Sequence, residues 1–142
     1  MYDLAAVATG MSLRDYYTRA ESLVRAQLAL HEQVGQDVIS IGSDNYYIAE
    51  GFDCRTTRAE DELPSLQEPA VRRLADVYDV AVPDPHKQGR MPMMIEAIRA
   101  TRRAVGDSVA IRCPGTGPFA LASYLIGSQA WLTQVGLVSA GM

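Results

Sequence analysis

Two short polar segments contain the residues of this sequence that are best suited to chemistry. In the first, Ser43 and Asp44 follow the apolar run DVISIG at residues 37–42. A carboxylate in this place can accept hydrogen bonds from the N–H groups of a ligand, or it can act as a base. Asp44 can also simply cap the turn that follows it, and the local pattern alone favours this second interpretation.

The second segment is the turn PGTGP at residues 114–118, together with the helix predicted after it. Gly115 and Gly117 let the backbone approach a ligand, and Pro118 suits the first position of a helix, whose free N–H groups attract an anion. Tyr124 lies six residues after Pro118, so its phenol can turn back toward the same end of the helix. The alternatives are a plain connection and a buried aromatic side chain.

The other polar groups lack a spacing that points to chemistry. The loop DPHKQGR at residues 84–90 contains His86 and Arg90 without a nucleophile or a metal-binding pattern, which favours a solvent-exposed charge cluster. Cys54 and Cys113 form neither a C-x-x-C pair nor a Cys/His zinc motif. The sequence therefore predicts no metal site in this chain and is typical of a reducing, cytoplasmic environment.

Short apolar runs and helical patterns predict the elements that position the two polar segments. Residues 37–42 and 108–113 (SVAIRC) are expected to be strands, the first one covered on both faces. Helical patterns cover residues 12–34, 92–105 and 118–127. This alternation indicates an α/β fold with parallel strands, in which ligands collect where the strands end.

The remaining segments are less regular. Ser12 is the expected cap of the first helix and Gly35 its stop. Residues 55–70 are charged and contain two prolines, so we expect little core there, whereas residues 71–80 have helical spacing.

Length and charge exclude several classes of protein. The chain has 142 residues, of which 48% are hydrophobic and 21% charged, so we expect one globular domain over residues 1–142. The net charge of -4 argues against a mainly electrostatic partner, either a nucleic acid or an anionic membrane. The sequence shows no export signal and no apolar stretch of the roughly 18 residues that span a membrane, so we expect a cytoplasmic protein.

Four segments together resemble the uroporphyrinogen decarboxylase superfamily, which includes the methylcorrinoid-dependent methyltransferases that act on coenzyme M and related thiols. The resemblance covers residues 9 to about 133. Its carriers are TGMSLRDYY (9–17), GQDVISIGSDNYYIAEGFDC (35–54), PDPHKQGRMPMMIEAIRATRRAVGD (83–107) and GTGPFALASYLIG (115–127). It implies a β/α barrel with its ligand cleft at the C-terminal ends of the strands.

The resemblance also implies roles for individual residues. Asp44 falls on the family aspartate that contacts the pyrrole N–H groups at the centre of a tetrapyrrole. Tyr124 falls on the family tyrosine in the helix after the Gly-Pro-aromatic turn, and Phe119 takes the aromatic position. The predicted catalytic residues are thus Asp44 and Tyr124, and the predicted ligand-binding residues are Ser43, Gly115, Gly117 and Phe119.

The branch of the superfamily is a separate question. The arginine-rich segment with which the decarboxylases hold substrate carboxylates has no match in MYDLAAVATG, and the zinc ligands of the methyltransferases belong to the later half of the barrel. The segments DPHKQGRMPMMIEAIRA and AEGFDC look closer to the methyltransferases. The resemblance therefore implies methyl transfer from a corrinoid to a zinc-bound thiol in the complete protein. Uroporphyrinogen decarboxylation and a non-catalytic assembly module are the alternatives.

The length of the chain has a consequence for either branch. An eight-unit β/α barrel needs roughly 250 residues, so we expect a partial barrel, the N-terminal half of a larger one. Two or three strands cannot close a barrel, and the outer ones expose unpaired backbone groups and apolar faces. We therefore expect self-association or a complementing chain, with a tetrapyrrole or corrinoid as the ligand.

Overall fold

The computed structural model describes residues 3–42, 44–139 and 141. These residues form six α-helices, four short strands and two 3₁₀-helices. The α-helices are α1 (Asp3–Ala8), α2 (Leu13–Thr18), α3 (Ala20–Val34), α4 (Met91–Val105), α5 (Pro118–Ile126) and α6 (Ser128–Ser139). The strands are β1 (Val38–Ser40), β2 (Arg55–Thr56), β3 (Leu66–Glu68) and β4 (Ala110–Arg112), and the 3₁₀-helices span Ala49–Phe52 and Leu74–Asp79.

The strands β1 and β4 pair in parallel, with Ile39 opposite Ile111. Both lie inside the runs that were expected to be strands, and α4 lies between them in the chain. The predicted α/β fold with parallel strands is therefore confirmed. A separate antiparallel pair, β2 and β3, lies within the charged residues 55–70.

The core is built mainly from α1 to α4 and β1. Ser12 caps α2 as expected, since its Oγ accepts a hydrogen bond of 3.2 Å from the N–H of Asp15. The buried phenol of Tyr16 accepts a hydrogen bond of 2.6 Å from the amide of Gln27 on α3. The buried hydrophobic cluster consists of Ala5, Ala6, Tyr16, Tyr17, Ala20, Leu23, Val24, Ala26, Leu30, Ile39, Ile41, Tyr47, Met91, Met94 and Ala97.

The prediction of one helix over residues 12–34 is wrong. Arg19 has extended backbone angles, φ -129° and ψ 124°, and separates α2 from α3. No glycine or proline marks this break. Because Tyr16 and Tyr17 before it and Ala20 after it are all buried, the apolar periodicity continues across it. Periodicity alone therefore did not reveal the break.

The exposure of individual side chains shows that two further expectations were wrong. Val38 in β1 is 42% exposed, so this strand is not covered on both faces. Residues 71–80 form a 3₁₀-helix from Leu74 to Asp79 rather than an α-helix packed on the core, and Tyr78 is 94% exposed. In both places the apolar pattern is covered only in part, since Ile39 and Val71 are buried while Val38 and Tyr78 are exposed.

The C-terminal helices are apolar yet poorly covered. Among the residues that the structure describes, α5 and α6 contain none that is buried. Phe119 on α5 and Trp131 on α6 form an edge-to-face pair, with ring centroids 5.3 Å apart. Neither these helices nor any other described one combines the length and apolarity needed to cross a membrane.

We expect this exposed apolar surface to cause self-association. Leu132 and Val138 on α6 are 65% and 77% exposed. The double variant Leu132→Ser/Val138→Ser should lower the mass measured by light scattering after size-exclusion chromatography at high protein concentration. Val82→Ser, at a residue that is 89% exposed in a loop, is the control and should leave the mass unchanged. A wild-type chain that stays monomeric at every concentration would contradict this prediction.

Candidate functional site

The two polar segments singled out in the sequence meet in the structure. Each follows one of the paired parallel strands, β1 or β4, so their loops begin at the same edge of the sheet. The hydroxyl of Thr116 donates to the carbonyl of Asn45 at 2.8 Å. The phenol of Tyr47 donates to the carbonyl of Pro114 at 3.1 Å. The two segments are therefore in contact where the parallel strands end.

Asp44 lies in a buried ion pair. Its Oδ2 and Oδ1 accept hydrogen bonds of 2.5 and 3.0 Å from the two terminal nitrogens of Arg90. The Asp44 side chain is only 5% exposed. Its Oδ1 also accepts a hydrogen bond of 2.7 Å from the N–H of Tyr46, which is the turn-capping alternative raised by the sequence. Contact of Asp44 with a ligand stays a prediction.

Arg90 joins this ion pair to a second carboxylate. Its Nε donates to Glu50 at 2.7 Å and one terminal nitrogen donates to the carbonyl of Tyr17 at 3.1 Å. Burial disfavours the guanidinium charge, but the hydrogen bonds and negative charges of Asp44 and Glu50 outweigh this and raise the pKa of Arg90. The arginine thus holds α2, the loop after β1 and the first 3₁₀-helix together.

The interpretation of residues 84–90 as a solvent-exposed cluster is wrong for Arg90, which is 5% exposed. Arg90 directly precedes α4, whose residues Met91 and Met94 are buried. The packing of this first turn carries the arginine inward, and Asp44 and Glu50 compensate its charge there. The segment from Asp44 to Asp53 has acidic residues and no basic one, and this imbalance is the signal that sequence reasoning missed.

Glu50 connects the ion pair to the β2–β3 hairpin. It is 9% exposed and accepts a hydrogen bond from the hydroxyl of Thr56. Arg58 approaches it at 3.4 Å. The carboxylate is therefore shared between a buried arginine and a half-exposed one.

Tyr46 lies between the two predicted catalytic residues. Its ring packs against that of Tyr124 with centroids 4.7 Å apart and planes at 59°. Burial raises the pKa of Tyr46, and the nearby Tyr124 and Asp44 raise it further. Asp44 and Tyr124 thus both contact Tyr46, Asp44 at its backbone N–H and Tyr124 at its ring. Tyr46 was not predicted, although it stands two residues from Asp44 in the sequence.

The backbone carbonyl of Tyr124 also accepts a hydrogen bond of 3.7 Å from the thiol of Cys54. Burial raises the pKa of this thiol. Tyr124 itself is partly buried. Tyr124 is therefore neither fully buried nor fully exposed.

The predicted ligand-binding residues Gly115 and Gly117 lie in the loop between β4 and α5, and Phe119 lies in the first turn of α5. A Cβ on Gly115 would make only ordinary contacts at 3.9 Å, and one on Gly117 would meet nothing within 4 Å. Phe119 is 63% exposed and packs against Trp131. Ser43 lies outside the described residues. The ligand-binding roles of all four stay predictions.

An open hollow of about 1090 Å³ borders the ion pair. Glu50 and Arg90 are among its lining residues, as are Arg55 and Arg58 of the hairpin region. Asp44 and Tyr124 do not line it. The hollow and the aromatic pair are therefore two different surfaces: Arg90 lines the first, and its partner Asp44 bonds the backbone of Tyr46 in the second.

Zinc does not fit the part of the chain that the structure describes. Within residues 3–42, 44–139 and 141, no three His, Cys, Asp or Glu side chains are grouped so that they can hold a metal ion.

The packing next to Arg90 can be tested by substitution of Gly89. Its φ is +59°, and a Cβ there would lie 2.6 Å from the backbone nitrogen of Gly51 and 2.9 Å from the carbonyl carbon of Glu50. Gly35→Ala, at φ +62° with nothing within 4 Å, should cost only the strain of about 1–2 kcal/mol. Gly89→Ala should lower the free energy of unfolding in urea by roughly 1–3 kcal/mol more. Equal losses in the two variants would contradict the packing.

Tyr46 gives a prediction for alkaline pH. Because its pKa is raised in the folded chain, folding keeps the phenol protonated where the unfolded chain ionises, above about pH 10. The resulting stability is complete below that pH and is lost as the pH rises through the folded-state pKa. Tyr46→Phe should therefore reduce the loss of unfolding free energy between about pH 9.5 and 11. Tyr78→Phe, at a tyrosine that is 94% exposed, should not; identical pH slopes for wild type and Tyr46→Phe would count against the assignment.

Comparison with known structures shows a similar fold. A methyltransferase from Methanosarcina mazei superposes with a TM-score of 0.81 and 24% sequence identity, over 92% of this chain and 39% of that one. At this level of identity the likeness concerns the fold.

Sequence relatives are closer. A uroporphyrinogen decarboxylase from Carboxydothermus hydrogenoformans is 30% identical over 126 residues, which are 84% of this chain and 35% of that protein. One from Myxococcus xanthus is 34% identical over 103 residues, 70% of this chain and 28% of that protein. The chain thus spans about a third of the length of these relatives. The family described as "Uroporphyrinogen decarboxylase (URO-D)" matches residues 1–135, and the chain therefore belongs to the uroporphyrinogen decarboxylase family.

Proposed function

We propose that this chain forms one wall of a cleft for a tetrapyrrole or corrinoid, and that the complete protein transfers a methyl group from a corrinoid to a thiol. The observation that carries the proposal is that Asp44 and Tyr124 both contact Tyr46 where the parallel strands β1 and β4 end, Asp44 at the backbone N–H and Tyr124 at the ring. In parallel α/β folds this edge is where ligands bind.

The cleft in this proposal belongs to a β/α barrel that the chain completes only in part. The described residues contribute two parallel strands, and the chain covers about a third of its relatives' length. The missing strands then come from further residues of a longer protein, from a second copy or from a complementing chain. The exposed apolar helices α5 and α6 are consistent with such additional packing.

The aromatic pair suits a flat macrocycle. Tyr46 and Tyr124 offer ring faces for stacking and phenol groups for hydrogen bonds to polar groups at the ligand's edge. Asp44 exposes little of its side chain, so in this proposal it supplies a nearby negative charge and a fixed turn. The chain's own residues thereby bind and orient the macrocycle.

The ion pair favours methyl transfer over decarboxylation. Decarboxylation by the family aspartate relies on an anionic oxygen that stabilises positive charge developing on a protonated pyrrole. Here a guanidinium lies within 3.0 Å of both Asp44 oxygens and offsets that charge. Orienting a corrinoid does not require an uncompensated negative charge on the Asp44 carboxylate. The resemblance of residues 84–100 and 49–54 to the methyltransferase branch points the same way.

Uroporphyrinogen decarboxylation is the second candidate. The observation that favours it is the name of the curated relatives, which are called uroporphyrinogen decarboxylases at 30–36% identity. Binding of the two ligand classes separates the candidates, because hydroxocobalamin is a corrinoid and uroporphyrin an octacarboxylate tetrapyrrole.

We expect Asp44→Asn to weaken binding of hydroxocobalamin, measured by absorbance titration, by roughly tenfold, because it weakens the charge-assisted pair with Arg90 that holds the turn before Tyr46. Asp76→Asn is the matched control, because Asp76 forms a comparable two-pronged pair with Arg73 on the exposed surface. The circular dichroism of both variants verifies that they fold.

Three results bear on the proposal in different ways. Binding of uroporphyrin in preference to hydroxocobalamin would favour the decarboxylase candidate. Equal affinity of wild type and Asp44→Asn would contradict the role of Asp44. Failure of the wild-type chain to bind either probe, together with a stable oligomer, would favour the non-catalytic assembly module.

A further inference from the structure

The Arg90 side chain contacts three separate parts of the chain, at Asp44, Glu50 and Tyr17. Its guanidinium is 6% exposed and binds Asp44 through two nitrogens, Glu50 through Nε and the carbonyl of Tyr17. A planar guanidinium offers its donors at fixed angles, so each contact constrains the others. A lysine offers a single point charge and cannot replace this arrangement.

The backbone of Arg90 is fixed as well. Its carbonyl accepts a hydrogen bond of 3.2 Å from the N–H of Met94 and so begins α4. The preceding Gly89 lies against the backbone of Glu50 and Gly51, without room for a Cβ. Both ends of the Arg90 side chain are therefore tied to packed structure.

Asp44 in turn contacts one member of the aromatic pair. The same Oδ1 that accepts from Arg90 also accepts from the N–H of Tyr46 at 2.7 Å. The Tyr46 ring then lies 4.7 Å from that of Tyr124. A single series of contacts thus runs from Arg90 through Asp44 and Tyr46 to Tyr124.

We propose that Arg90 is a positioning residue that acts through Asp44 to hold Tyr46 against Tyr124. Its effect on ligand binding rests on the proposed function, because that function makes the two tyrosines the binding surface. Its effect on the geometry of the tyrosine pair does not depend on any ligand. The two consequences are therefore measured separately.

The test compares Arg90→Lys, Asp44→Asn and the double variant in the 142-residue chain. Nuclear Overhauser effects between the ring protons of Tyr46 and Tyr124, assigned with Tyr46→Phe and Tyr124→Phe, report the ring contact. Hydroxocobalamin titration reports binding. Arg73→Lys, in an exposed arginine–aspartate pair of the same type, is the control for the substitution.

The expected result is that Arg90→Lys weakens the ring contact and lowers the affinity for hydroxocobalamin by roughly tenfold. Asp44→Asn should have the same two effects, and adding Arg90→Lys to it should change neither further, because the arginine acts through the aspartate. Arg73→Lys should match the wild type in both measurements.

Two results would overturn the inference: an unchanged ring contact in Arg90→Lys, or an equal additional loss when Arg90→Lys is added to Asp44→Asn. If Arg90→Lys unfolds the chain, Asp44→Asn alone decides. An intact ring contact in Asp44→Asn would show that Asp44 does not hold Tyr46 against Tyr124, and the inference would then be wrong. If the wild-type chain binds no hydroxocobalamin, the proposed function fails while the ring contact still decides the role of Arg90.

Discussion

The buried pairing of Arg90 with Asp44 and Glu50 is the interaction on which the candidate site depends. Moving three charged groups out of water is costly, and only good geometry with satisfied hydrogen bonds offsets that cost. Here the contacts come from α2, the loop after β1, the first 3₁₀-helix and the residue before α4. The arrangement is favourable only when all four are in place, so it selects one conformation of this part of the chain.

The site joins a well-packed part of the molecule to a poorly packed one. Asp44 and Tyr46 are held by contacts from the core helices through Arg90. Tyr124 belongs to α5, which has no buried residue among those described. Its helix is anchored by the carbonyl of Leu125, which accepts from Val71 at 2.8 Å, and by the contact of Cys54 with the Tyr124 carbonyl. Packing from additional strands would therefore fix Tyr124 more than it fixes Asp44.

The sequence predicted the parts of the structure that local pattern controls. The strands β1 and β4, the helix α4 and the Ser12 cap follow from apolar spacing and capping residues. The meeting of the Asp44 and Pro114 loops follows from the rule that parallel strands end at one edge. The break at Arg19 and the inward turn of Arg90 do not follow, because each depends on tertiary contacts that no short window of sequence contains.

The local charge decides what kind of ligand this surface suits. Asp44 and Glu50 contribute two negative charges, and Arg90 and Arg58 contribute two positive ones within 3.4 Å of them. Because the Arg58 side chain is 52% exposed and therefore screened by solvent, the balance is at most slightly negative. A nearly neutral surface gives little stabilisation to a developing cation, whereas stacking on the Tyr46 and Tyr124 rings needs no net charge. Under the proposed function, the ion pair that fixes Asp44 therefore helps to orient the macrocycle and does not stabilise a charge that develops on it.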